Sequence, residues 1–317
     1  MRTITALFVG LGSIGTRHLK NLANLCADRG WTLQADALRS DLTRPLRPGA
    51  AELLHAQYTD LAAAPAHYDM VFITNPTSLH AEALRQVKGR GEALFIEKPI
   101  FSAEQTSLAL DELLPAGQKA YVAAPMRWCG AMLALKDRLP ALHPYCARVI
   151  CSSYLPDWRP GVDYRTVYSA RKALGGGVTI DLIHEWDYLV ELFGVPEKLY
   201  NFKGTYSELE IDSDDLSVYI AKYPTLLAEV HLDYFGRGYR RSIELFCRDG
   251  SYLADFGKGT LTLPDGTVQH YEEDVNRRYE REMEYFVDYA LTGCGESCNP
   301  PALALKVLKL TLGENVQ

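Results

Sequence analysis

Three polar residues near the middle of the chain have the types and the spacing for proton transfer. Asp181, His184 and Asp187 follow three glycines at residues 175–177, and each lies three positions from the next. Residues three apart share a helix face, so one helix is predicted to present all three side chains. Histidine titrates near neutral pH and suits a general base. A lone helical histidine is more often packed or solvent-facing, but the flanking carboxylates and the glycine run favour a catalytic His184.

A lysine stands at the end of a predicted strand. Glu97-Lys98-Pro99 closes the apolar run that starts at Leu94, and the carboxyl edge of an open α/β sheet is where ligands bind. On its own, Lys98 would be read as a solvated charge at a strand end. Beside an Asp-His-Asp set it is interpreted as a cation directed into the site, where it would stabilise negative charge developing on a reacting oxygen.

A glycine pattern near the N-terminus predicts a dinucleotide site. Gly10-x-Gly12-x-x-Gly15 follows the first predicted strand and opens the first predicted helix. The first glycine permits a tight turn, the second admits a pyrophosphate and the third allows close packing of helix on strand. The alternative is a strand-helix turn without a ligand, but the position of the pattern favours the dinucleotide. The predicted cofactor contacts here are Gly10, Gly12, Ser13, Ile14 and Gly15.

The choice of nicotinamide cofactor depends on the end of the second strand. An acidic residue there binds the ribose 2′-hydroxyl of NAD, and an arginine accommodates the 2′-phosphate of NADP. If the strand ends at Leu38, the loop begins with Arg39 and Ser40, while Asp36 lies inside the strand. The sequence therefore predicts that NADP is preferred, with NAD as the alternative if Asp36 takes the role.

Further cofactor contacts are predicted along the same edge. Thr74-Asn75-Pro76 closes the strand predicted over Met70–Thr74, where it would line the nicotinamide ribose. The alternative is a simple Asn-Pro turn. Predicted contacts of this edge are Thr74, Asn75, Pro76, His80, Glu97 and Lys98.

The elements needed to position these residues can be read from the apolar pattern. Over residues 1–124, short apolar runs alternate with helical patterns, which is typical of an α/β dinucleotide-binding domain with a doubly wound parallel sheet. One helix is predicted over Ile14–Ala27, and Ser102 with Gln105 predicts a capping box. The predicted strands are Thr3–Val9, Thr32–Leu38, Met70–Thr74, Leu94–Glu97 and Ala120–Ala124.

The second half of the chain has a different rhythm. Residues 125–317 are predicted to form an α+β domain for substrate binding and oligomerisation, with an open, mainly antiparallel sheet. Asp249-Gly250 and Pro264-Asp-Gly266 are hairpin signals between alternating segments. Helices are predicted over Asp181–Leu192 and Tyr279–Leu291, and a shorter one after Pro301.

Composition excludes several other classes of protein. The chain has 317 residues and a formal net charge of -7, which argues against a nucleic-acid partner. Its apolar runs are far shorter than the ~20 residues of a membrane helix, and the first strand leaves no room for a signal peptide. Seven scattered cysteines fit a reducing cytoplasm. The close pair Cys294 and Cys298 lacks a second ligand pair, so no metal is expected.

The motifs together resemble the Gfo/Idh/MocA oxidoreductase family, named after glucose-fructose oxidoreductase, inositol dehydrogenase and a rhizopine catabolism protein. The resemblance covers nearly the whole chain. It is carried by four segments: VGLGSIGTRH at 9–18, YDMVFITNPTSLHAEAL at 68–84, FIEKP at 95–99 and GGGVTIDLIHEWDYLVELFG at 175–194.

The resemblance implies a Rossmann domain, a second domain with an open sheet, and a Lys-Asp-His group. Lys98 corresponds to the lysine of the EKP motif and His184 to the catalytic histidine. Asp181 departs from the family pattern, because the aspartate commonly stands four residues before the histidine and here stands three before it. The chemistry agrees with the resemblance, because removing a hydride from a carbinol carbon also requires a base for the hydroxyl proton.

Candidate substrate residues lie in a long connection. The segment from Tyr154 to Lys172 is rich in aromatic, Arg and Asp residues, and long loops in compact domains are usually functional or disordered. Such side chains suit a polyhydroxylated substrate with an anionic group, while the alternative is a loop that joins two subunits. The predicted substrate contacts are Arg127, Trp158, Arg159, Tyr164, Arg171 and Asp187.

The expected activity is hydride transfer between NAD(P) and an alcohol carbon of a sugar-like substrate. The motifs are similar to those of family members encoded with bacterial surface-sugar pathways. The same family contains NAD-using glycoside hydrolases and non-catalytic dinucleotide-binding regulators, and retention of Lys98 with His184 argues against the regulator. The sequence does not separate dehydrogenase from glycosidase. A homo-oligomer, dimer or tetramer, is expected.

Overall fold

The computed structural model describes residues 2–316, which divide into two compact units. Unit 1 comprises Met1–Ala123 and Tyr279–Leu305, and unit 2 comprises Ala124–Arg278 and Lys306–Gln317. The prediction that residues 125–317 form one domain is therefore wrong for Tyr279–Leu305, because this segment belongs to unit 1.

Unit 1 is built on a six-stranded parallel sheet in the order β3-β2-β1-β4-β5-β6. This order is that of a doubly wound dinucleotide-binding fold, and it confirms the predicted fold class. Its strands are β1 Thr3–Val9, β2 Thr32–Leu38, β3 Leu54–Tyr58, β4 Tyr68–Ile73, β5 Gly91–Ile96 and β6 Lys119–Val122. Its first helices are α1 Ser13–Asp28, α2 His80–Gln86 and α3 Leu110–Leu113.

Unit 2 contains an eight-stranded sheet in the order β14-β13-β12-β11-β7-β10-β9-β8. All its neighbouring pairs are antiparallel except β7 with β10. The strands are β7 Cys146–Tyr154, β8 Lys198–Gly204, β9 Leu216–Lys222, β10 Leu227–Asp233, β11 Phe235–Cys247, β12 Gly250–Asp255, β13 Thr260–Thr262 and β14 Val268–His270. The remaining helices are α4 Gly130–Arg138, α5 Val178–Asp181, α6 His184–Phe193, α7 Val275–Thr292 and α8 Pro301–Thr311.

Most of α7 belongs to unit 1 because its apolar side chains complete the core of the parallel sheet. Phe8 stacks on Phe72 with ring centroids 4.5 Å apart. Phe286 of α7 meets the rings of Phe72 and Phe95 edge-on at 5.4 and 5.2 Å. The pattern at Tyr279–Leu291 predicted the helix but not the sheet on which it packs.

Local signals predicted several elements well. Strands β1 and β2 have the predicted bounds, and the Ser102–Gln105 capping box forms. Asp249-Gly250 joins β11 to β12, and the turn at residues 264–266 joins β13 to β14. Strand β3 was missed because polar His55 and Gln57 interrupt its short apolar pattern.

Among residues 2–316, no helix is both long and apolar enough to cross a membrane.

Candidate active site

The turn between β1 and α1 is shaped by close packing. Gly10 has φ +84°, and a Cβ there would lie 2.7 Å from the Cα of Asn75. A Cβ at Gly15 would lie 2.7 Å from the Thr74 hydroxyl. At Gly12, by contrast, a Cβ would meet nothing within 4 Å. Protein packing therefore explains the first and third glycines, and close approach of a pyrophosphate explains the second.

The first turn of α1 has the properties of an anion site. The helix begins at Ser13 after Gly12, without a side-chain cap and without an acidic residue in its first turn. Helix N-termini carry unsatisfied N–H groups and a partial positive charge, which favour phosphate. Ser13 is exposed and Ile14 half-buried at this turn. The arrangement fits the pyrophosphate of a dinucleotide.

Thr74 stabilises the glycine turn from the neighbouring strand. Its hydroxyl donates a hydrogen bond of 2.5 Å to the carbonyl of Gly10, and the residue is buried. Asn75 is half-buried and donates from its side chain to the Leu79 carbonyl at 3.4 Å, while Pro76 is exposed. The predicted contacts thus differ in kind, with Thr74 supporting the turn and Asn75 and Pro76 lying nearer the surface.

His80 joins two loops at the sheet edge. The imidazole is buried, with Nε2 3.0 Å from the Asn75 carbonyl and Nδ1 3.1 Å from the Ile100 carbonyl. Burial lowers the pKa of His80 despite these backbone contacts. Both ring nitrogens contact backbone carbonyls, which leaves neither of them for the cofactor contact that the sequence predicts for His80.

The end of β2 separates the two candidates for cofactor choice. Asp36 is buried inside the strand and accepts a hydrogen bond of 2.8 Å from the Tyr68 hydroxyl, with His55 Nδ1 at 3.2 Å. Arg39 follows the strand and donates to the Gln57 side chain at 2.8 Å. Ser40 is exposed beside it. The Asp36 carboxylate is therefore engaged within the protein, whereas Arg39 and Ser40 lie in the loop.

Lys98 is held at the end of β5 by its neighbour. The Glu97 carboxylate is buried, accepts the Lys98 backbone N–H at 3.0 Å and lies 2.5 Å from His18 Nε2 of α1. Burial opposes ionisation of Glu97, but hydrogen bonding and charge from His18, with the charge of Lys98, leave its pKa below the ordinary value. His18 ends the VGLGSIGTRH segment one turn after Gly15, and the residue pattern alone did not predict a role for it.

Two of the three glycines at 175–177 are required by contacts within unit 2, and Gly175 has φ +81° with no neighbour within 4 Å of a Cβ. A Cβ at Gly176 would lie 2.1 Å from the Tyr168 carbonyl, and one at Gly177, where φ is +130°, would lie 2.3 Å from Asp214 Oδ1. The Asp214 carboxylate accepts hydrogen bonds from the Thr179 backbone N–H at 2.9 Å and its hydroxyl at 2.5 Å. The run thus brings the chain close enough for Asp214 to bind the first turn of α5.

Asp181 is fixed by two tyrosines. Its Oδ1 accepts a hydrogen bond from the Tyr168 hydroxyl, and its Oδ2 accepts one of 2.6 Å from the Tyr234 hydroxyl. Burial and the Asp181 charge raise the pKa of both phenols, which remain donors at neutral pH. Both carboxylate oxygens of Asp181 are therefore engaged.

His184 begins a new helix. The chain leaves helical conformation after Asp181 and resumes it at His184, so the prediction that one continuous helix carries Asp181, His184 and Asp187 is wrong. His184 is half-buried. Its neighbour Glu185 is fully buried and binds Arg241 through bonds of 2.7 and 3.0 Å. This ion pair fixes the start of α6 and with it the backbone of His184.

Arg127 and Asp187, both predicted to bind substrate, bind each other. Two guanidinium nitrogens of Arg127 donate to the Asp187 carboxylate at 2.8 Å each, and the third donates to Glu191 at 2.5 Å. Arg127 and Asp187 are buried, and Lys136 also binds Glu191. The charge of Arg127 is neutralised by these partners, which gives the pair a structural role.

The long connection between β7 and α5 is ordered by its own side chains. Trp158 donates to the Ser153 hydroxyl at 3.1 Å and packs edge-on against Tyr234 at 5.2 Å. The Tyr164 hydroxyl accepts the Glu210 backbone N–H at 3.2 Å. Arg159 and Arg171 are exposed. Trp158 thus shares Tyr234 with Asp181. Arg165 and Lys172 are exposed on the same connection, and Arg165 pairs with Asp163 and Glu210.

No group of three or more His, Cys, Asp or Glu side chains among residues 2–316 is arranged to hold a metal ion. The candidate groups among the described residues are instead an uncapped helix start, a lysine at a strand end, and a histidine. The strand order of unit 1 and its glycine turn fit the class of dinucleotide-binding oxidoreductases.

Comparison with known proteins supports this class. A family described as "Oxidoreductase family, NAD-binding Rossmann fold" (GFO_IDH_MocA) matches residues 4–123. The uncharacterized oxidoreductase YrbE of Bacillus subtilis is 24% identical over 308 residues, which cover 90% of this chain and 86% of the relative. Inositol 2-dehydrogenase of Rhizobium meliloti is 26% identical over 200 residues, which cover 61% and 56% of the two chains.

A solved structure of levoglucosan dehydrogenase with NADH and levoglucosan has the same fold. The TM-score is 0.80 with 16% identity over 98% of this chain and 96% of that chain. Residues 4–123, which include the glycine turn and the EKP lysine, thus match the Gfo/Idh/MocA oxidoreductase family. The chain is an NAD-binding oxidoreductase, as the glycine turn and the EKP lysine predicted.

Proposed function

We propose that the protein is an NADP-preferring dehydrogenase that transfers a hydride between the nicotinamide and an alcohol carbon of a sugar-like substrate. The observation that carries the proposal is that the uncapped start of α1, which follows β1, and Lys98, which follows β5, lie at the same carboxyl edge of the parallel sheet with β4 between the two strands. The inositol and levoglucosan dehydrogenases among the similar proteins support a polyhydroxylated substrate.

Each polar residue has a distinct task in this reaction. The nicotinamide, when bound, accepts the hydride. His184 takes the hydroxyl proton as general base, and Lys98 stabilises the charge that develops on the same oxygen. Asp181, held by Tyr168 and Tyr234, has no free carboxylate oxygen among these contacts and is assigned to support of the site, not to proton transfer.

Three features favour NADP over NAD. Arg39 is the first residue after β2, and its guanidinium lies in the loop, where it donates to the Gln57 side chain and to the Arg44 carbonyl. Ser40 follows it as a second donor. Asp36 is buried and already bound to Tyr68, so it lacks the exposed carboxylate that would hold a ribose 2′-hydroxyl.

The substrate is placed along the connection between β7 and α5. Trp158 and Tyr164 offer aromatic faces for a sugar ring, and Arg159 and Arg171 offer cations for an anionic substituent such as a carboxylate or phosphate. Arg127 and Asp187 are left out of this set because they bind each other.

We also assign assembly of the homo-oligomer to the outer face of the unit 2 sheet. Tyr200 and Ile220 lie opposite each other on β8 and β9 and are 52% and 42% exposed. Phe202, two residues along β8, is 72% exposed. Exposed apolar patches of this kind mark interaction sites. Light scattering should show an oligomer that Phe202→Glu dissociates, and an unchanged assembly would place the interface elsewhere.

The activity is tested by incubating the purified protein with NADP⁺ or NAD⁺ and a panel of polyols, sugars, sugar acids and nucleotide sugars. A ligand that copurifies with the protein, identified by mass spectrometry, would direct the panel. Stoichiometric appearance of reduced nicotinamide and of a keto product supports the proposal. Cleavage of a glycoside without net change in nicotinamide absorbance would instead identify an NAD-using glycosidase.

A further inference from the structure

The His18–Glu97 pair carries a role that the proposed reaction has not used. Glu97 stands immediately before Lys98, and one carboxylate oxygen accepts the Lys98 backbone N–H at 3.0 Å. The other oxygen lies 2.5 Å from His18 Nε2. His18 is on α1, the helix whose start forms the anion site. One side chain, Glu97, therefore connects that helix to the backbone of Lys98.

His18 has Glu97 as its hydrogen-bonding partner in an otherwise apolar setting. The ring is fully buried, packs against Phe95 with centroids 4.7 Å apart and meets Tyr279 edge-on at 6.1 Å. Nδ1 is buried and has no hydrogen-bond partner among the described residues. The hydrogen bond of the ring among the described residues is therefore the one that joins Nε2 to the Glu97 carboxylate.

Burying a polar pair such as His18 and Glu97 carries a desolvation cost. Well-packed apolar residues of similar volume are often as stable or more stable, so such a pair is weak support for stability alone. The pair lies between the dinucleotide helix and Lys98, and Glu97 also places a negative charge beside the Lys98 ammonium. Its location thus indicates a role in the reaction.

We propose that His18 and Glu97 are positioning residues that fix Lys98 relative to the dinucleotide-binding turn. The inference rests on the proposed function, in which Lys98 acts on the reacting oxygen. Neither His18 nor Glu97 touches substrate in this account. Glu97 sets the Lys98 backbone, and His18 orients the Glu97 carboxylate while keeping it ionised.

The decisive variant replaces the pair with apolar residues. His18→Phe/Glu97→Met should keep the packing against Phe95 and a melting temperature near that of the parent. Turnover should nevertheless fall by up to about 10²-fold, the scale of a misplacement of about 1 Å at a reacting centre, with dinucleotide affinity little changed. Glu92→Gln, an exposed substitution on the same strand, is the matched control and should alter neither property.

A cycle with Lys98→Ala separates the two proposals. If the pair acts through Lys98, the substitutions His18→Phe/Glu97→Met should not lower turnover further in a protein that already carries Lys98→Ala. Parental turnover in the stable double variant, or full additivity with Lys98→Ala, would overturn the positioning role. Parental turnover in Lys98→Ala itself would instead show that the lysine of the proposed function is misassigned.

If the His18→Phe/Glu97→Met protein does not fold, the Glu97→Gln variant tests the positioning role. Glutamine keeps the length of the side chain and an oxygen for the Lys98 N–H, but it removes the charge. The positioning role is supported if Glu97→Gln lowers turnover in the parental protein but not in the Lys98→Ala variant. Unchanged turnover in Glu97→Gln contradicts that role.

Discussion

At the carboxyl edge of the parallel sheet in unit 1, polar groups are placed largely by backbone geometry, whereas in unit 2 side chains hold one another. Gly10 and Gly15 are shaped by contacts with Asn75 and Thr74. In unit 2, Arg127 binds Asp187 and two tyrosines bind Asp181. The glycine motif therefore predicts the turn after β1 well, because its spacing follows from the close contacts of Gly10 and Gly15. Residue patterns predict the roles of charged residues in unit 2 less well, because these residues can bind either a ligand or each other.

The largest expected effect tests the catalytic assignment that spans both regions of the sequence. His184→Ala should lower turnover by about 10²- to 10⁴-fold, as loss of a general base does, with little change in dinucleotide affinity. Lys98→Ala should also slow turnover because it withdraws charge stabilisation. If both residues serve one step, the double variant should be less impaired than the product of the single effects.

Steady-state kinetics with the identified substrate and NADPH titration by fluorescence measure these effects. Near-parental turnover in His184→Ala would make the histidine structural and transfer the search for a base to Lys98 or Asp181.

The second prediction contrasts arginines that the sequence treated alike. Arg127→Ala leaves the buried Asp187 carboxylate without its partner, so the free energy of unfolding should fall by about 3–5 kcal/mol. Arg159→Ala and Arg171→Ala, at exposed positions, should change it by less than about 0.5 kcal/mol. The Arg159→Ala and Arg171→Ala substitutions should instead raise the Michaelis constant for the substrate.

Urea unfolding and kinetics on the same preparations distinguish the two roles. An Arg127→Ala protein of parental stability with a raised Michaelis constant would restore Arg127 to the substrate site. If Arg159→Ala and Arg171→Ala change only the subunit assembly, the connection is an interface.

These contrasts show how far residue patterns can predict such a fold. Strand β1 and the Gly10 turn follow from local apolar and glycine spacing, and so does the hairpin at Asp249-Gly250. The His18–Glu97 pair joins residues 79 apart, and Arg127–Asp187 joins residues 60 apart. Such pairs depend on how the elements pack, so spacing along the chain does not predict them.

Short strands and breaks within helices were also hard to predict from the sequence. Strand β3 alternates polar and apolar residues at the edge of the sheet, where one face is in water. The break between Asp181 and His184 falls on two apolar residues, Leu182 and Ile183, which fit a helical pattern, so the periodicity gave no sign of it. The motif at residues 175–194 predicts His184 from residue identity, so this prediction does not depend on the break in the helix.

The third prediction separates two glycines of the same turn. Gly10→Ala must place a methyl group against the Asn75 backbone at φ +84°, which should destabilise the protein by about 1–3 kcal/mol. Gly12→Ala, with φ −78° and no neighbour within 4 Å of its Cβ, should change stability by less than about 0.5 kcal/mol. It should weaken dinucleotide binding by about tenfold, or about 1.4 kcal/mol.

Thermal unfolding without cofactor and NADPH titration give the two quantities independently. If Gly12→Ala binds the dinucleotide as the parent does, the pyrophosphate does not approach this glycine.

The smallest expected effect concerns cofactor preference and compares two arginines of one loop. Arg39 follows β2 directly, whereas Arg44 is 79% exposed and pairs with Asp41. A charge-assisted hydrogen bond contributes about 1.5–3 kcal/mol when well formed, and exposure to water places Arg39 at the lower end. Arg39→Ala should therefore weaken NADPH binding by about tenfold and leave NADH binding unchanged, because only NADPH carries the 2′-phosphate. Arg44→Ala should change neither affinity. Parental protein that binds NADH as tightly as NADPH would contradict the preference and require the adenine ribose to be held by Asp36, which would first have to exchange its bond with Tyr68.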